Sequence, residues 1–269
     1  MSRSATSETA PVSEPIPFKY DTPQLAAVSY SRMADFEQCP YRALLKYAIK
    51  SPEPVMPADQ ESPLDRGSRV HTHAENFVRG TETLAPELET FGSELQDLRE
   101  RFSRNDGTIE LEKMWCFDND WAYIGELKPW DEGWDKIWMR VKQDAVVLPD
   151  PETVVAIDYK TGRKDGNEVK HNTQLRLALL GAMFRYPQAQ RFIAENWYTD
   201  KDIHLGLEYS REEVMDWFEE LDGRLRKVTS CTEYVPKSSV ESCKWCPYKR
   251  GRINRNQMGT GVCQYAHAS

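Results

Sequence analysis

The chain has 269 residues, 39% of them hydrophobic, with 14 glycines, 16 prolines and 6 cysteines. That is enough apolar material for one sizeable core, which excludes a disulfide-stapled miniprotein and a wholly disordered chain. With 35 Lys and Arg against 43 Asp and Glu the net charge is −8, which excludes a protein that coats nucleic acid by charge alone but not one that grips it locally.

Residues 1–24 are rich in Ser, Thr, Pro and Glu and cannot bury enough surface to offset their ordering entropy, so a flexible tail is expected there. The opening stretch MSRSATSETAPVSEPIP lacks the apolar centre of a secretory signal. No later run reaches the roughly 18 apolar residues that a membrane span needs. A cytoplasmic protein with no membrane contact is the expectation. From Ser29, SYSRMADFEQCPYRALLKY sets Met33, Phe36, Tyr41, Leu44 and Leu45 at helical spacing, and Pro40 fits best where a second helix begins. Two short helices with Cys39 at their joint follow. After a Pro-rich loop over 51–63, GSRVHTHAENFVRG predicts a helix with Val70, Ala74 and Phe77 in its apolar stripe and His71 and Glu75 together on another face. An acidic helical stretch over 86–104 leads to a strand over 109–117. Then IWMRVKQDAVVL and TVVAIDYKT flank the turn PDPE as a β-hairpin, the second run apolar on both faces and therefore central. A helix over 172–184, strands over 191–198 and 203–209, and a helix opened by the Ser210 and Glu213 capping box and running to Val228 complete an α/β order with one mixed sheet. Trp115, Trp121, Trp130, Trp134 and Trp138 crowd one region and are expected in packing roles.

Strand side chains alternate, so Asp158 and Lys160 project to one side and Asp144 reaches them from the neighbouring strand. Two carboxylates and an ammonium then converge. Asp144, Asp158 and a backbone carbonyl, that of Tyr159, can hold a hard divalent cation such as Mg²⁺ or Mn²⁺ in a site open to phosphate. Lys160 would orient or deprotonate a metal-bound water and steady developing charge. An isolated Asp-x-Lys at a strand end is usually a solvated edge; here an apolar strand precedes it and a Thr-Gly turn follows at once.

In order along the chain, SYSRMADFEQCPYRALLKY, GSRVHTHAE, Asp144, DYKTG and Gln174 resemble the motifs of the PD-(D/E)XK nuclease superfamily, specifically its RecB-type exonuclease branch with a four-cysteine iron-sulfur cluster. The resemblance runs from about Ser29 to Cys263. It implies a restriction-endonuclease-like α/β core, a central mixed sheet flanked by helices and closed by a C-terminal cysteine cluster. It implies a Mg²⁺- or Mn²⁺-dependent deoxyribonuclease, an exonuclease of DNA recombination, repair or processing. The substrate would be DNA with a free end or a single strand, and a helicase or recombination protein would be its partner. His71 would be a metal ligand, Asp144 and Asp158 the metal carboxylates, Lys160 the catalytic lysine, and Gln174 a positioning group for the lysine or the DNA backbone. The chain departs from the family in having Val141 where a Gly is usual and Ala178 where a Tyr is usual. A non-catalytic DNA-binding subunit and an Fe-S redox-sensing protein are the rival functions.

Cys243-x-x-Cys246 is a spacing that lets two thiolates bind one metal centre, and Cys263 follows. The resemblance adds Cys39 as a fourth ligand and a 4Fe-4S cluster as the cofactor; zinc on the same ligands, or no metal, remain alternatives. Cys116 and Cys231 read as buried or incidental thiols. Residues 224–255 carry 9 bases against 2 acids whereas 51–120 carry 7 against 16, so Lys244, Lys249, Arg250, Arg252 and Arg255, with Trp245 and Tyr248 as stacking faces, form the expected DNA-binding surface or else a solvated loop. The expected divisions are a tail over 1–24, a nuclease core over 25–230 and a basic cysteine-containing segment over 231–269 packed back on Cys39.

Overall fold

The computed structural model describes residues 24–57, 60–162 and 166–267; all but the last residue of the tail expected over 1–24 lies outside them. A two-residue strand β1 (Val28–Ser29) leads into α1 (Tyr30–Gln38) and α2 (Pro40–Ala43). Ser29 caps α1 by accepting from the Arg32 N–H, and Pro40 opens α2. Next come α3 (Pro63–Arg79) and α4 (Gly92–Ser103), with a 3₁₀ turn over Pro86–Phe91 before α4. Helix α3 starts four residues before the predicted Gly67: Ser62 accepts from the Asp65 N–H, and Pro63 takes the first position, where its missing N–H costs nothing.

The sheet is built from β2 (Ile109–Phe117), β3 (Tyr123–Gly125), β4 (Met139–Asp150), β5 (Thr153–Lys160), β6 (Arg191–Tyr198) and β7 (Ile203–Ser210), with α5 (Glu168–Arg185) crossing between β5 and β6. Its order is β3-β2-β4-β5-β6-β7, with β1 beside β4. Among the described residues only the β1–β4 and β5–β6 pairings are parallel. This is the expected mixed α/β fold: a mostly antiparallel central sheet flanked by helices. Two short helices α6 (Arg211–Met215) and α7 (Phe218–Thr229) replace the single helix predicted from Ser210 to Val228. The Trp217 N–H bonds the Val214 carbonyl, a 3₁₀ step, and its ring stands edge-on to Tyr209 at 4.7 Å under the Arg176 guanidinium. Docking that tryptophan on the sheet outweighs an uninterrupted helix. Then α8 (Val240–Lys244) and a hairpin of β8 (Arg252–Asn254) and β9 (Gln257–Met258) end the chain.

Two apolar clusters cover the faces. Helices α3 and α4 pack Val70, Ala74, Phe77, Leu95 and Leu98 on Leu111, Ala145, Val147, Ile157 and Trp197. The other face carries α1, α2, α5 and α7 with Trp115, Phe117, Met139, Val141, Val154 and Ala156, and takes Tyr234, Cys246 and Tyr248 from the C-terminal segment. Ile109 and Leu111 lie on the first face while Trp115 and Phe117, of the same parity, lie on the second. Strict alternation forbids this. The switch falls at Glu112, whose φ is +52°, and β4 switches opposite it, between Val141 on one face and Ala145 on the other. This paired reversal directs acidic side chains of two adjacent strands toward α3.

Candidate active site

The β4–β5 ladder holds at Ala145↔Ile157, but further along β4 the same edge is taken by β1 at Met139 and Arg140. At that divergence the backbone N–H of Tyr159 donates to Asp144 Oδ2 at 2.9 Å, so a carboxylate continues where the ladder stops. Asp144 is 7% exposed. Its other oxygen lies 3.1 Å from His71 Nδ1, and His71 Nε2 lies 2.8 Å from the Tyr159 carbonyl oxygen. A carbonyl and a carboxylate only accept, so these two contacts favour the imidazolium form, in which both ring nitrogens carry a proton. Burial opposes that charge, but the bond to Asp144 and the charges of Asp144, Asp158 and Glu112 hold His71 above the usual histidine range. For Asp144 burial acts the other way, and His71, the Tyr159 N–H and Lys160 together keep its carboxyl below the usual range.

Asp158 forms an ion pair with Lys160. Gln174 on α5 closes the triangle, accepting from Lys160 Nζ at 2.9 Å and donating to Asp158 Oδ1 at 3.2 Å. Burial, with the Asp144 charge adding to it and Lys160 opposing, pushes the Asp158 carboxyl up to about 6. The two aspartates are thus driven apart in proton affinity. Glycine at position 67 lets α3 approach the turn after Lys160: a Cβ there would meet Thr161 Oγ1 at 3.3 Å. The Gly162 N–H donates to Asp200, which Arg66 of α3 grips with both guanidinium nitrogens at 2.6 and 2.8 Å. The helix that carries His71 is in this way fastened to the strand that carries Asp158 and Lys160.

Several residues join the site without having been singled out in the sequence. Glu112 comes within one metal-ligand span of His71 and Asp144; the three offer ligand atoms within 4.8 Å of one another. Its Oε1 is buried without a hydrogen-bond partner, while Oε2 pairs with Lys142 at 2.5 Å. Glu112 was hidden by the reversal in β2, since regular alternation counted from Leu111 would point it to the α5 face, away from His71. His71, Glu112, Asp144 and the Tyr159 carbonyl form an oxygen-rich donor set that fits a hard divalent cation, and the orphaned Glu112 oxygen is one that such an ion satisfies. His171, three residues before Gln174 on α5, has Nδ1 2.8 Å from the Tyr198 hydroxyl, and burial with Lys160 and Lys170 pushes its pKa down to about 4. Beside this group a pocket of about 170 Å³ is lined by Asp158 and Gln174, by Arg140 and Lys142 of β4, and by Ser29 and Ser31 at the start of α1.

The expected basic surface is divided. Lys244, Arg250, Arg252 and Arg255 are exposed. Lys249 is 4% exposed and its ammonium donates to the Lys244 carbonyl at 3.2 Å, which removes it from the phosphate-facing set. Tyr248 is fully buried with its hydroxyl on Glu53, so only Trp245 of the two proposed stacking faces is open. Arg140 and Lys142, on a strand read for its apolar pattern, line the pocket that Asp158 borders.

Cys39, Cys243, Cys246 and Cys263 line one small pocket. The C-terminal segment reaches it through contacts to the α1–α2 joint: the Lys237 N–H donates to Cys39 Sγ at 3.3 Å, and Ser242 and Gln38 bond each other's carbonyls. The His267 N–H donates to Cys243 Sγ at 3.3 Å. Burial raises the Cys246 thiol and pushes Cys263 to about 11, so thiolates there need a cation. Among the described residues no three of the sulfurs lie within 4.8 Å of one another. A zinc tetrahedron needs sulfurs about 3.8 Å apart. No described helix is long and apolar enough to cross a membrane.

A model of the PD-(D/E)XK nuclease superfamily matches residues 27–250. No curated protein matches the chain. Among solved structures, the crystal structure of SSO0001 is similar at 16% identity, over 91% of this chain and 89% of that one, with a TM-score of 0.46. An alkaline exonuclease (LHK-Exo) from Laribacter hongkongensis is similar at 14% identity, over 76% of this chain and 91% of that one, with a TM-score of 0.31.

Proposed function

The chain belongs to the PD-(D/E)XK nuclease superfamily, and from that premise we propose that it is a Mg²⁺- or Mn²⁺-dependent deoxyribonuclease, an exonuclease that hydrolyses phosphodiester bonds in DNA recombination, repair or processing. The observation that carries this reading is the convergence of His71, Glu112, Asp144 and the Tyr159 carbonyl beside the Asp158–Lys160–Gln174 triangle. His71, Asp144, Asp158 and the Tyr159 carbonyl are the proposed ligands, with Glu112 added to them. A bound divalent cation supplies a Lewis acid that activates water and neutralises charge on the phosphate. Lys160 Nζ, held between a carboxylate and an amide oxygen, has its third proton free to orient the attacking water. Gln174 fixes that ammonium and the Asp158 carboxylate together. Reaching a ligand state requires His71 to shed the proton that faces Asp144.

Arg140 and Lys142, with Ser29 and Ser31 at the N-terminus of α1, present donors to the phosphates flanking the scissile bond. Lys244, Arg250, Arg252 and Arg255 extend the basic surface. The RecB-type placement rests on Cys39, Cys243, Cys246 and Cys263 lining one pocket. We propose a 4Fe-4S cluster on them, with zinc on the same ligands as the alternative. The cluster would close the 231–269 segment on the 25–230 core. The chain would act on DNA inside the cell, beside a helicase or recombination protein.

Purified protein on end-labelled single- and double-stranded DNA with Mg²⁺ or Mn²⁺ tests the reading. Lys160→Ala and Asp158→Asn are each expected to abolish cleavage while leaving the circular-dichroism spectrum unchanged. Full activity in either variant overturns it, and binding without cleavage by the wild-type chain across both metals and all end types would indicate a DNA-binding subunit instead.

A further inference from the structure

Two arginines beside the candidate active site have no acidic partner. Arg32 of α1 donates one N–H to the Ala27 carbonyl at 2.5 Å and lies 5.1 Å from the centre of the Tyr47 ring. Arg140 of β4 lies 5.6 Å from the centre of the Trp134 ring. Among the described residues neither guanidinium has a carboxylate within 4.0 Å, and the Arg140 side chain makes no hydrogen bond. Asp35, one turn along α1 from Arg32, is already bound by Arg42, Lys46 and the Tyr47 hydroxyl. Arg32 is half-buried, and that burial, followed by the charge of Arg140, draws its guanidinium below the usual arginine range against the opposing influence of Tyr47. Two cations held together and partly out of water repel each other and lose hydration, a cost that an anion bridging them removes.

Both arginines line a cavity of about 280 Å³, together with residues 24–27, Tyr47, Trp134 and the exposed Asp135. It is separate from the pocket of Asp158 and Gln174 but adjoins it. Arg140 lines both, and the β1–α1 turn gives Ser29 and Ser31 to the one and Arg32 to the other. A structural role for Arg32 accounts for its bond to Ala27 and its seat by Tyr47. It does not account for a second guanidinium close by, nor for the donors that both leave unengaged around a cavity. The guanidinium fork matches phosphate bidentately, and an aromatic ring against it restrains the group without consuming its donors.

We propose that Arg32 and Arg140 form a phosphate station separate from the scissile position, where the two guanidiniums clasp one phosphate group of a single-stranded DNA, either its terminal monoester or an internal diester. The shared Arg140 sets this station next to the pocket that Asp158 borders, so a phosphate held there fixes the register of the strand on the carboxylates. The inference rests on the nuclease reading for its ligand.

Affinity, not cleavage, reads the station. Fluorescence anisotropy of a labelled single strand in Mg²⁺ uses the Lys160→Ala chain as parent, so that the strand stays whole. Adding Arg32→Gln is expected to weaken binding about tenfold. It is also expected to make the slope of log K against log salt less negative by about 0.7, the share of one phosphate on a single strand. Arg32→Lys keeps the charge and is expected to retain the slope. The parent is then given strands that lack one charge at a time, through loss of the terminal phosphate or a methylphosphonate at one internal linkage. One of these strands is expected to bind the parent about tenfold more weakly than the intact strand and to bind the Arg32→Gln chain equally well; its identity tells a terminal phosphate from an internal one. Arg140→Gln is expected to be blind to the same strand, which carries the test if Arg32→Gln fails to fold. A parent that binds no strand, unchanged affinity in Arg32→Gln, a slope as flat in Arg32→Lys as in Arg32→Gln, or the absence of a strand to which the parent is sensitive and the arginine variants blind overturns the proposal. A wild-type chain that shows the expected pattern but never cuts DNA sinks the nuclease reading and leaves the phosphate station standing.

Discussion

Asp144 and Asp158 carry the same functional group and differ only in surroundings. Asp144 is bound by a backbone N–H and an imidazolium, which favour its ionised form. Asp158 is half-buried with one lysine and an amide for company, and its carboxyl is pushed up to about 6. A carboxyl whose folded pKa is raised stabilises the fold most below its unfolded value, and that contribution is lost as pH rises through the folded value. Metal-free protein in chelator should therefore lose stability on this account between about pH 4 and pH 6. Asp158→Asn should stabilise the metal-free protein at neutral pH by at most about 3 kcal/mol, less whatever the loss of the Lys160 pair costs. Added Mg²⁺ or Mn²⁺ should raise the melting temperature of the wild-type chain and not of this variant. A scan of melting temperature against pH, with and without metal, reads all three. The motif residues were legible one by one in the sequence because spacing on strands and helices is local. Glu112 was not, because its direction depends on a left-handed residue that no alternation rule foresees.

At the level of elements, the contact between β4 and α5 shows how a helix comes to sit on a sheet. Gly181 of α5 lies against Val141 of β4: a Cβ at 181 would come 3.1 Å from Val141 Cγ2 and 3.5 Å from two further atoms of that side chain. Helix propensity alone says that Gly181→Ala should stabilise by about 1 kcal/mol. The Val141 side chain is 6% exposed, branched and fixed in a central strand, so we expect the opposite, a loss of about 1 kcal/mol from overpacking. In a Val141→Gly background, itself destabilised by the lost side chain, Gly181→Ala should no longer cost stability. Urea melts of the two single variants and the double variant give the coupling energy directly. The chain order of strands and helices was readable because each has a clear apolar period. The break between α6 and α7 was not, since it depends on where the Trp217 ring docks.

On the scale of the whole molecule, residues far apart in sequence share one core. Tyr234, Cys246 and Tyr248 of the C-terminal segment belong to the same apolar cluster as Leu44 and Trp115. Cys39→Ala or Cys243→Ser should therefore lower the melting temperature by several degrees, remove any visible absorbance of the purified protein and open residues 231–267 to limited proteolysis. A variant that keeps its absorbance and its protease resistance would show that no cluster ties the segment down. The net charge of −8 takes on a local meaning at this scale, because part of it is Asp144, Asp158 and Glu112 drawn together where a cation can offset them. By itself the sequence determined the family motifs and the α/β order and singled out Asp144, Asp158 and Lys160 as candidates, all of which follow from side-chain chemistry and short-range periodicity. Only the tertiary structure decided that Glu112 joins them, that Lys249 and Tyr248 turn inward, and that Arg140 and Lys142 border the site. Those outcomes depend on which strand leaves which ladder and which side chains the core has room for, and neither is a property of any short stretch of chain.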